Sequence, residues 1–356
     1  MKAIILCAGK GTRLRPLTYT SAKHLIPLAN KPALEYGIEK IKECGISDIG
    51  IIIGEETGED IKREIGNGQK WGVNISYIMQ EEPLGLAHAV KVAREFLQDE
   101  PFLMYLGDNL LKNGVMQYRQ QFEEGKKQAF VLLTHVENPQ AFGVVELKDK
   151  KIVRMVEKPK DPPTDLALIG VYFFDKTIHK AIDNIKPSAR GEYEITDAIQ
   201  WLVDNKHDVE AEVIEGWWKD TGKPEDIIEA NRLILEDIHR DLGDAIIDNK
   251  SKVFGRVNLG KNAEVINSTI LGPVVIGENA KIINSYVGPF TSLSAGVNIE
   301  NSEVEYSVIM SNTHIDSIKC RMQNCLIGKD VEIYRSDEMP RIYEFVLSDD
   351  SRVRLV

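Results

Sequence analysis

No aspartate or glutamate precedes Glu35, although the chain as a whole is acidic. It has 55 Asp and Glu against 44 Lys and Arg, which gives a formal net charge of −11. An acidic protein that keeps one segment free of negative charge is expected to reserve that segment for a polyanion. The cationic residues of this window are Lys2, Lys10, Arg13, Arg15, Lys23 and Lys31.

Three further absences limit the class of protein. No apolar stretch is long enough to span a bilayer, and the opening apolar run is too short and wrongly flanked for a signal peptide. The cysteines show no zinc-type spacing, which predicts reduced thiols in a cytoplasmic protein. The acidic balance argues against nucleic acid as a partner, because binding to a phosphate backbone needs a broad basic surface. The cysteines are Cys7, Cys44, Cys320 and Cys325.

The opening segment joins a short apolar run to a glycine-bearing loop. The run Ala3–Ala8 predicts a buried parallel strand, and the glycines of Gly9–Pro16 would let backbone N–H groups approach phosphate oxygens. Leu14 stands where the dinucleotide fingerprint has its third glycine, and the ATPase loop pattern also fails. A tight turn with solvated cations is the alternative. The charge asymmetry favours a triphosphate site.

The hydrophobic pattern divides the chain into two domains, residues 1–242 and 243–356. In the first, apolar strands alternate with amphipathic helices, which predicts an α/β fold with a Rossmann-like, mixed and mostly parallel sheet. Predicted strands are Ala3–Ala8, Ile49–Ile53, Ile75–Met79, Phe102–Leu106, Phe130–His135 and Val171–Phe174. Predicted helices are Ala33–Cys44, Gly58–Gly66, Gly85–Phe96, Glu194–Asn205 and Pro224–Leu242, the last an ordinary docking helix between the domains.

A short phrase of aliphatic residues, Asn and Ser recurs in the second domain. Its copies begin at Val265, Ile282, Ile299 and Met322, separated by 17, 17 and 23 residues. A hexapeptide-type unit explains these intervals, and it predicts a β-helix of about five coils in preference to a β-sandwich. The tail, residues 341–347 and 353–356, has the pattern of a terminal hairpin that caps the open end.

Two aspartates are candidates for a metal site. Asp108 follows the apolar strand that ends at Leu106, and ligands sit at the carboxyl ends of strands in open α/β sheets. A carboxylate beside a cationic phosphate loop predicts Mg²⁺ between them, with Asp220 as the second ligand. A helix N-cap is the alternative for Asp108.

Two polar loops are candidates for substrate recognition. Gln80 and Gly85 could meet a base edge, although a helix-starting turn explains them equally well. Glu157 could accept from sugar hydroxyls, and Lys158 and Arg190 could hold a phosphate monoester, although loop charges are usually only solvated. Taken together, these groups predict attack of a sugar 1-phosphate oxygen on the α-phosphorus of a nucleoside triphosphate, with release of pyrophosphate.

These motifs, in this order, resemble the sugar-1-phosphate nucleotidyltransferases over nearly the whole chain. The likeness is greatest to thymidylyl-transferring members that carry a C-terminal left-handed β-helix. The motifs that carry it are Leu6–Pro16, Lys23, Gly107–Asn109, Phe142–Val145, Glu157–Pro159, Gly170–Tyr172, Arg190–Glu192, Glu194–Asp197 and Trp218–Gly222.

The resemblance implies a role for each matching residue. Arg13 would neutralise the departing pyrophosphate, Lys23 would lie near the α-phosphate, and Asp108 and Lys158 complete the implied catalytic set. Asp108 and Asp220 would bind Mg²⁺. The implied nucleotide-binding residues are Leu6, Ala8, Gly9, Gly11, Thr12, Arg13, Gln80, Gly85 and Asp108. The implied sugar-phosphate residues are Gly143, Glu157, Lys158, Gly170, Tyr172 and Arg190.

The expected reaction partners are dTTP and glucose 1-phosphate, in a homo-oligomer that binds neither nucleic acid nor membrane. UTP is the nearest alternative, because the thymine methyl contributes only on the order of 1 kcal/mol. His24 stands where many members have glutamine, and feedback regulation cannot be carried over to the β-helix form. Other classes are a non-catalytic scaffold, which the intact Arg13 and Lys23 disfavour, and an acyltransferase at His314, which a lone histidine supports poorly.

Overall fold

The computed structural model describes residues 1–148, 151–336, 339 and 343–354. The chain forms two compact units, and each consists of two segments. The first unit contains Met1–Lys10 and Ala33–Asp220, and the second contains Gly11–Pro32 and Thr221–Val356. This division differs from the predicted boundary at residue 242, because an early segment and the last helix group with the C-terminal region.

The helices and the strands up to residue 220 have the following bounds. The strands are β1 (Lys2–Cys7), β2 (Pro27–Leu28), β3 (Lys31–Pro32), β4 (Asp48–Ile53), β5 (Asn74–Met79), β6 (Phe102–Leu106), β7 (Asn109–Leu111), β8 (Ala129–His135), β9 (Gly143–Lys148), β10 (Lys151–Glu157), β11 (Leu166–Phe174), β12 (Val209–Val213) and β13 (Trp218–Asp220). The helices are α1 (Ala33–Glu43), α2 (Gly58–Ile65), α3 (Leu86–Val92), α4 (Arg94–Leu97), α5 (Met116–Gly125), α6 (Thr177–Asn184), α7 (Ile195–Asp204) and α8 (Pro224–Leu235).

A nine-stranded sheet in the order β5-β4-β1-β6-β11-β8-β12-β10-β9 forms the centre of the first unit. Strands β5, β4, β1 and β6 are parallel, whereas β11 runs antiparallel to both β6 and β8. The predicted mixed α/β sheet is therefore confirmed, with the parallel strands concentrated in one half. The six predicted strands are all present.

Helices cover both faces of the parallel half, which explains why its strands are apolar throughout. Met104 of β6 lies in a buried cluster with residues of α3, α6 and α7. On the opposite face, α1 packs closely against Tyr105, because a Cβ on Gly37 would lie 3.2 Å from that ring. Residues alternate between the two faces along each strand, so neither face can be polar.

Two predicted helices are shorter than the sequence pattern indicates. The helix predicted over Gly85–Phe96 is divided into α3 and α4, and α8 ends at Leu235 instead of Leu242. The backbone of Asp241 already forms hydrogen bonds with Val257 and Leu259 of the same unit. Arg240 donates to the Gly255 carbonyl at 2.8 Å. The residues after Leu235 are thus held in the first coil.

Short parallel strands stacked in three sheets form the rest of the second unit. The strands are β14 (Ile246–Ile247), β15 (Lys252–Phe254), β16 (Val257–Leu259), β17 (Glu264–Ile266), β18 (Thr269–Leu271), β19 (Val274–Ile276), β20 (Lys281–Ile283), β21 (Tyr286–Val287), β22 (Thr291–Leu293), β23 (Asn298–Glu300), β24 (Glu303–Glu305), β25 (Val308–Ile309), β26 (His314–Asp316), β27 (Met322–Gln323), β28 (Leu326–Ile327) and β29 (Glu332–Tyr334). Each sheet is made of every third strand, and the strands contribute aliphatic residues to a buried core. The predicted β-helix is confirmed.

The recurring Asn-Ser phrase forms one corner of this β-helix. Asn267, Asn284 and Asn301 have positive φ of 47°, 49° and 46°, a conformation that asparagine tolerates better than most residues. Their side chains form a ladder, with 2.7 Å between the first pair and 3.3 Å between the second. The hydroxyls of Ser268 and Ser285 each accept the backbone N–H of the equivalent serine on the next coil, at 3.0 and 3.2 Å.

The tail differs from the predicted hairpin in the part that the structure describes. Residues 343–354 contain a turn at 349–350 and no β-strand. Residues 341, 342, 355 and 356 of the predicted hairpin lie outside the described residues. The Tyr343 and Phe345 rings stack at 6.0 Å, and most of the tail's large apolar side chains are exposed.

Candidate active site

The parallel strands of the first unit end at one edge of the sheet and bring the opening loop beside Asp108. Strands β1, β4 and β6 run in the same direction, and the Gly107 N–H donates to the Leu6 carbonyl at 3.0 Å. Ala8 and Gly9, which follow β1, therefore lie at the same edge as Asp108. A Cβ on Gly54, just after β4, would lie 3.0 Å from the Ala8 carbonyl oxygen, so the backbone segments approach closely.

A small antiparallel pair joins the two candidate metal ligands. Asp220, the last residue of β13, is the register partner of Asn109, and Asp108 directly precedes Asn109. The Asn109 side chain donates to Asp108 Oδ1 at 2.9 Å and accepts from Trp218 Nε1 at 2.6 Å. The structure therefore brings both carboxylates to one edge. It also gives Trp218 a hydrogen bond that orients the Asn109 amide.

The chemistry of this pair suits a hard cation. Asp108 and Asp220 offer carboxylate oxygens, the ligand type that Mg²⁺ takes together with substrate phosphates. Within the described ranges, no group of three or more His, Cys, Asp or Glu side chains could hold a metal ion by itself. The two carboxylates offer the type of oxygen ligand that such a cation prefers.

The loop from Gln80 to Gly85 leads into α3 and begins at a buried glutamine. Gln80 is 6% exposed, and its Nε2 lies 3.3 Å from the Gly85 carbonyl and 3.1 Å from His88 Nδ1. Gly85 has a φ of 103°, and a Cβ there would lie 2.6 Å from the Tyr193 carbonyl oxygen. Burial lowers the pKa of His88, which favours the neutral ring whose nitrogen can accept from Gln80. His88 was missed at the sequence level, although it lies one helical turn after Gly85.

Glu157 is the centre of a mixed-charge cluster at the end of β10. Its Oε1 lies 3.7 Å from Lys158 Nζ and 3.5 Å from Arg190 Nη1, and its Oε2 accepts from Thr196 at 3.4 Å. Gly143 is its register partner on β9, and a Cβ there would lie 3.0 Å from Glu157 Oε2. The structure thus brings together the predicted carboxylate, both predicted cations and the glycine that leaves space above the carboxylate.

Besides Glu157, two further glutamates contact the Arg190 side chain. Its guanidinium lies 2.8 Å from Glu192 and 3.5 Å from the largely buried Glu194. Burial raises the pKa of Glu194, while a hydrogen bond of 2.8 Å from Ser188 opposes that shift. Glu192, Glu194 and Thr196 stood in the motifs of the sequence but had no assigned role. Their contacts now make them orienting partners of Arg190 and Glu157.

Gly170 and Tyr172 lie on β11, where its pairing with β8 shifts register between Leu168 and Tyr172. Gly170 has a φ of 75°, and a Cβ there would lie 2.7 Å from Leu106 and 3.1 Å from Asn109 Oδ1. Only glycine fits this bulge, where β11 packs against residues on either side of Asp108. Burial and the nearby Glu157 carboxylate raise the pKa of the Tyr172 phenol, so it stays protonated.

The remaining loop residues belong to the second unit and are described within it. Gly11 has a φ of 64°, its carbonyl accepts from Thr18 Oγ1 at 2.8 Å, and a Cβ there would lie 3.1 Å from the Lys23 Cβ. Thr12 and Arg13 are exposed in a short 3₁₀ turn. His24, which departs from the family pattern, is 1% exposed and therefore lies in the interior.

A search of the helices in the described residues finds none with the length and apolarity needed to cross a bilayer.

Comparisons with known proteins identify the family of this chain. The family model described as nucleotidyl transferase matches residues 2–237. Glucose-1-phosphate thymidylyltransferase of Streptomyces antibioticus is 47% identical over all of this chain and 99% of its own length. The low-salt glycan biosynthesis nucleotidyltransferase Agl11 of Haloferax volcanii is 46% identical, with full coverage of both chains. A crystal structure of a putative glucose-1-phosphate thymidylyltransferase from Bacillus anthracis, in complex with a sucrose, covers 68% of this chain and 97% of its own, at 36% identity and a TM-score of 0.64. The chain belongs to the nucleotidyl transferase family.

Proposed function

We propose that this chain transfers the thymidylyl group of dTTP to glucose 1-phosphate, forming dTDP-glucose and pyrophosphate. The observation that carries the proposal is the cluster of Glu157, Lys158 and Arg190, because a carboxylate beside two cations suits a sugar that bears a phosphate monoester. The full-length similarity to a thymidylyltransferase supports this substrate pair.

The proposed step is a direct displacement at the α-phosphorus. A phosphate oxygen of glucose 1-phosphate forms the new P–O bond, and the bond between the α-phosphorus and the bridging oxygen to the β-phosphate breaks. Pyrophosphate leaves with that electron pair. Lys158 and Arg190 hold the attacking phosphate, Arg13 neutralises the leaving pyrophosphate, and Lys23 lies near the α-phosphate. Positioning and charge neutralisation supply the catalysis, so no covalent enzyme intermediate is needed.

Nucleotidyltransferases of this family generally use a divalent metal ion. Mg²⁺ held by Asp108 and Asp220 is the assignment that the donor chemistry supports. Asp108 and Asp220 would hold such an ion, which would supply neutralisation of the phosphate charge. The Asn109 amide, through its bond to Asp108 Oδ1 and the bond from Trp218, would orient this carboxylate.

Base recognition would fall to Gln80 and the Gly85 backbone, with the phosphates on the backbone of Leu6, Ala8, Gly9, Gly11 and Thr12. The amide of Gln80 is held by His88 and Gly85, so its orientation is set before a nucleotide binds. Gly143, Gly170 and Tyr172 would line the sugar pocket together with Glu157. The same proposal includes a cytoplasmic location. It also includes a homo-oligomer, which light scattering of the purified protein would measure.

The experiment that tests the function is a substrate panel. Release of pyrophosphate is measured with dTTP and with UTP, each combined with glucose 1-phosphate. We expect kcat/KM to be about 10-fold higher for dTTP, the discrimination that one buried methyl group supplies. Preference for UTP would change the nucleotide while preserving the mechanism, and an absence of turnover with both would contradict the proposed function.

A further inference from the structure

A hairpin in the second unit has a conformation that its own sequence disfavours. Strands β2 and β3 are joined by Ala29 and Asn30, which have φ of 46° and 64°. Two positive φ values are typical of a type I′ turn, which favours Asn and Gly over alanine. A left-handed alanine costs on the order of 1 kcal/mol, and such a residue persists only where its surroundings fix it.

The tip of this hairpin is fixed by hydrogen bonds within the same unit. The Ala29 N–H donates to Asn231 Oδ1 on α8 at 2.8 Å. Asn30 Nδ2 donates to the carbonyl of Leu293 on β22 at 2.7 Å, and Ser294 Oγ donates to Asn30 Oδ1 at 3.2 Å. The hairpin is therefore attached to both the helix and the β-helix.

Asn231 is the residue at which these attachments meet. It is 0% exposed, and its Oδ1 also accepts from the Ser292 hydroxyl at 2.7 Å, while its Nδ2 donates to the Phe290 carbonyl at 3.3 Å. Truncation of Asn231 would leave the Ala29 N–H and the Ser292 hydroxyl buried without this acceptor. Leaving a buried donor unpaired costs more than the net strength of the bond that was lost.

A second attachment lies closer to the glycine loop. Leu17 packs against the β-helix, because a Cβ on Gly328 would lie 3.2 Å from the Leu17 side chain. The next residue, Thr18, donates to the Gly11 carbonyl, and Gly11 lies against Lys23. Gly11, Thr12, Arg13 and Lys23 are thus carried on a segment, 11–32, that is attached to the β-helix at both Leu17 and Asn30.

We propose that Asn231, together with Asn30 and Ser292, is a positioning residue for nucleotide binding. It fixes the hairpin tip, and the hairpin fixes the segment that bears Gly11, Arg13 and Lys23. The β-helix therefore contributes to triphosphate affinity without touching the nucleotide. This role rests on the proposed function of the loop.

Matched substitutions test this role. Ser292→Ala removes one bond of the network, Asn30→Gly removes two and Asn231→Ala removes three. Asn30→Gly retains a residue that tolerates positive φ. Ser285→Ala is the control for Ser292→Ala, because it removes a buried hydroxyl whose bonds all lie within the β-helix. Asn312→Gly is the control for Asn30→Gly, since Asn312 has a φ of 61° and bonds to Asp330.

The readouts are steady-state kinetics for both substrates, thermal midpoint, and amide hydrogen exchange of residues 11–32. We expect the three network variants to raise KM for dTTP about 10-fold, the equivalent of about 1.4 kcal/mol, with KM for glucose 1-phosphate within twofold. Amide hydrogen exchange of residues 11–32 should be faster in the network variants than in the wild type. It should also be faster than in control variants whose thermal midpoint has fallen by the same amount. If Asn231→Ala does not fold, Ser292→Ala and Asn30→Gly provide the test.

Three results would overturn the role. Unchanged KM for dTTP in folded network variants would show that the attachments do not position the loop. An equal rise of KM in the Ser285→Ala and Asn312→Gly controls would assign the effect to general destabilisation. Wild-type protein that releases no pyrophosphate would overturn the proposed function itself, which distinguishes that failure from an active enzyme with kinetically normal network variants.

Discussion

Buried polar groups follow opposite rules in the two units. In the β-helix they are periodic: one serine recurs on each of three coils, at Ser268, Ser285 and Ser302. The backbone N–H of each later serine donates to the hydroxyl of the one before it. At the strand edge of the first unit they are not periodic, and Gln80 and Asn109 bond to side chains that a substrate could also meet. A buried polar group that repeats with the architecture supports the fold, whereas one that breaks the pattern is a candidate for function.

The β-helix contains its own exception to this rule. Ser292 stands on a strand face where Val275 and Val308 are its register partners, and its hydroxyl bonds to Asn231 instead of a neighbouring coil. This break in the pattern coincides with the attachment of the segment that carries Arg13. The same criterion therefore identifies candidate functional groups in both units.

Loss of either edge carboxylate is expected to have the largest effect. Asp108→Asn and Asp220→Asn remove negative charge where a divalent cation and phosphates must be held, and we expect kcat to fall at least about 100-fold, as when a charge-stabilising group is removed. Pyrophosphate release at saturating substrates is the measurement. Asp316→Asn, which alters a carboxylate that accepts from Asn301 in the β-helix, should leave kcat within twofold. A loss below threefold in Asp108→Asn would contradict the two-carboxylate assignment.

Periodicity explains how much of this could be predicted from the sequence. The parallel strands and the coils have strong repeats, so the sequence predicts both the strand edge that precedes Asp108 and the β-helix. Strands β7 and β13 have three residues each, too few for a pattern, so the pairing of Asn109 with Asp220 was not foreseen.

The position of Asn231 shows a signal that was available. It lies four residues after Ile227 and four before Leu235, and therefore on the apolar stripe of α8. A lone amide on such a stripe indicates a buried polar network, but its partners at Ala29 and Ser292 are about 200 and 60 residues away in sequence. Long-range partners of this kind have no local signature, and only the folded chain identifies them.

Replacement of Arg190 should have a smaller, substrate-specific effect. Arg190→Ala removes a cation that Glu157, Glu192 and Glu194 hold in place. We expect KM for glucose 1-phosphate to rise about 10- to 100-fold, since a charge-assisted bond contributes about 1.5–3 kcal/mol, with KM for dTTP nearly unchanged. Arg321→Ala is the matched control, because Arg321 pairs with Glu303 and Glu305 in the β-helix. Equal changes in both KM values would remove Arg190 from the sugar-phosphate site.

Acidification should weaken the two units in different pH ranges, with the smallest effect of all. His179 of the first unit is buried against Phe102, with 6.0 Å between ring centres, and burial followed by the Arg94 charge lowers its pKa below 6.5. Its stabilising contribution is therefore complete above pH 6.5 and is lost as pH falls towards the folded-state pKa. In the β-helix, a hydrogen bond from Ser251 lowers the pKa of Asp248 below 3.8, so the stabilising contribution of Asp248 persists until pH falls through that lower range.

Two variants separate these contributions. His179→Phe should reduce the decrease in thermal midpoint between pH 7.5 and 5.5 by no more than about 4 °C. Asp248→Asn should lower the midpoint at both pH values and leave this decrease unchanged. A His179→Phe protein with the wild-type drop would show that this buried histidine does not set the acid sensitivity of the first unit.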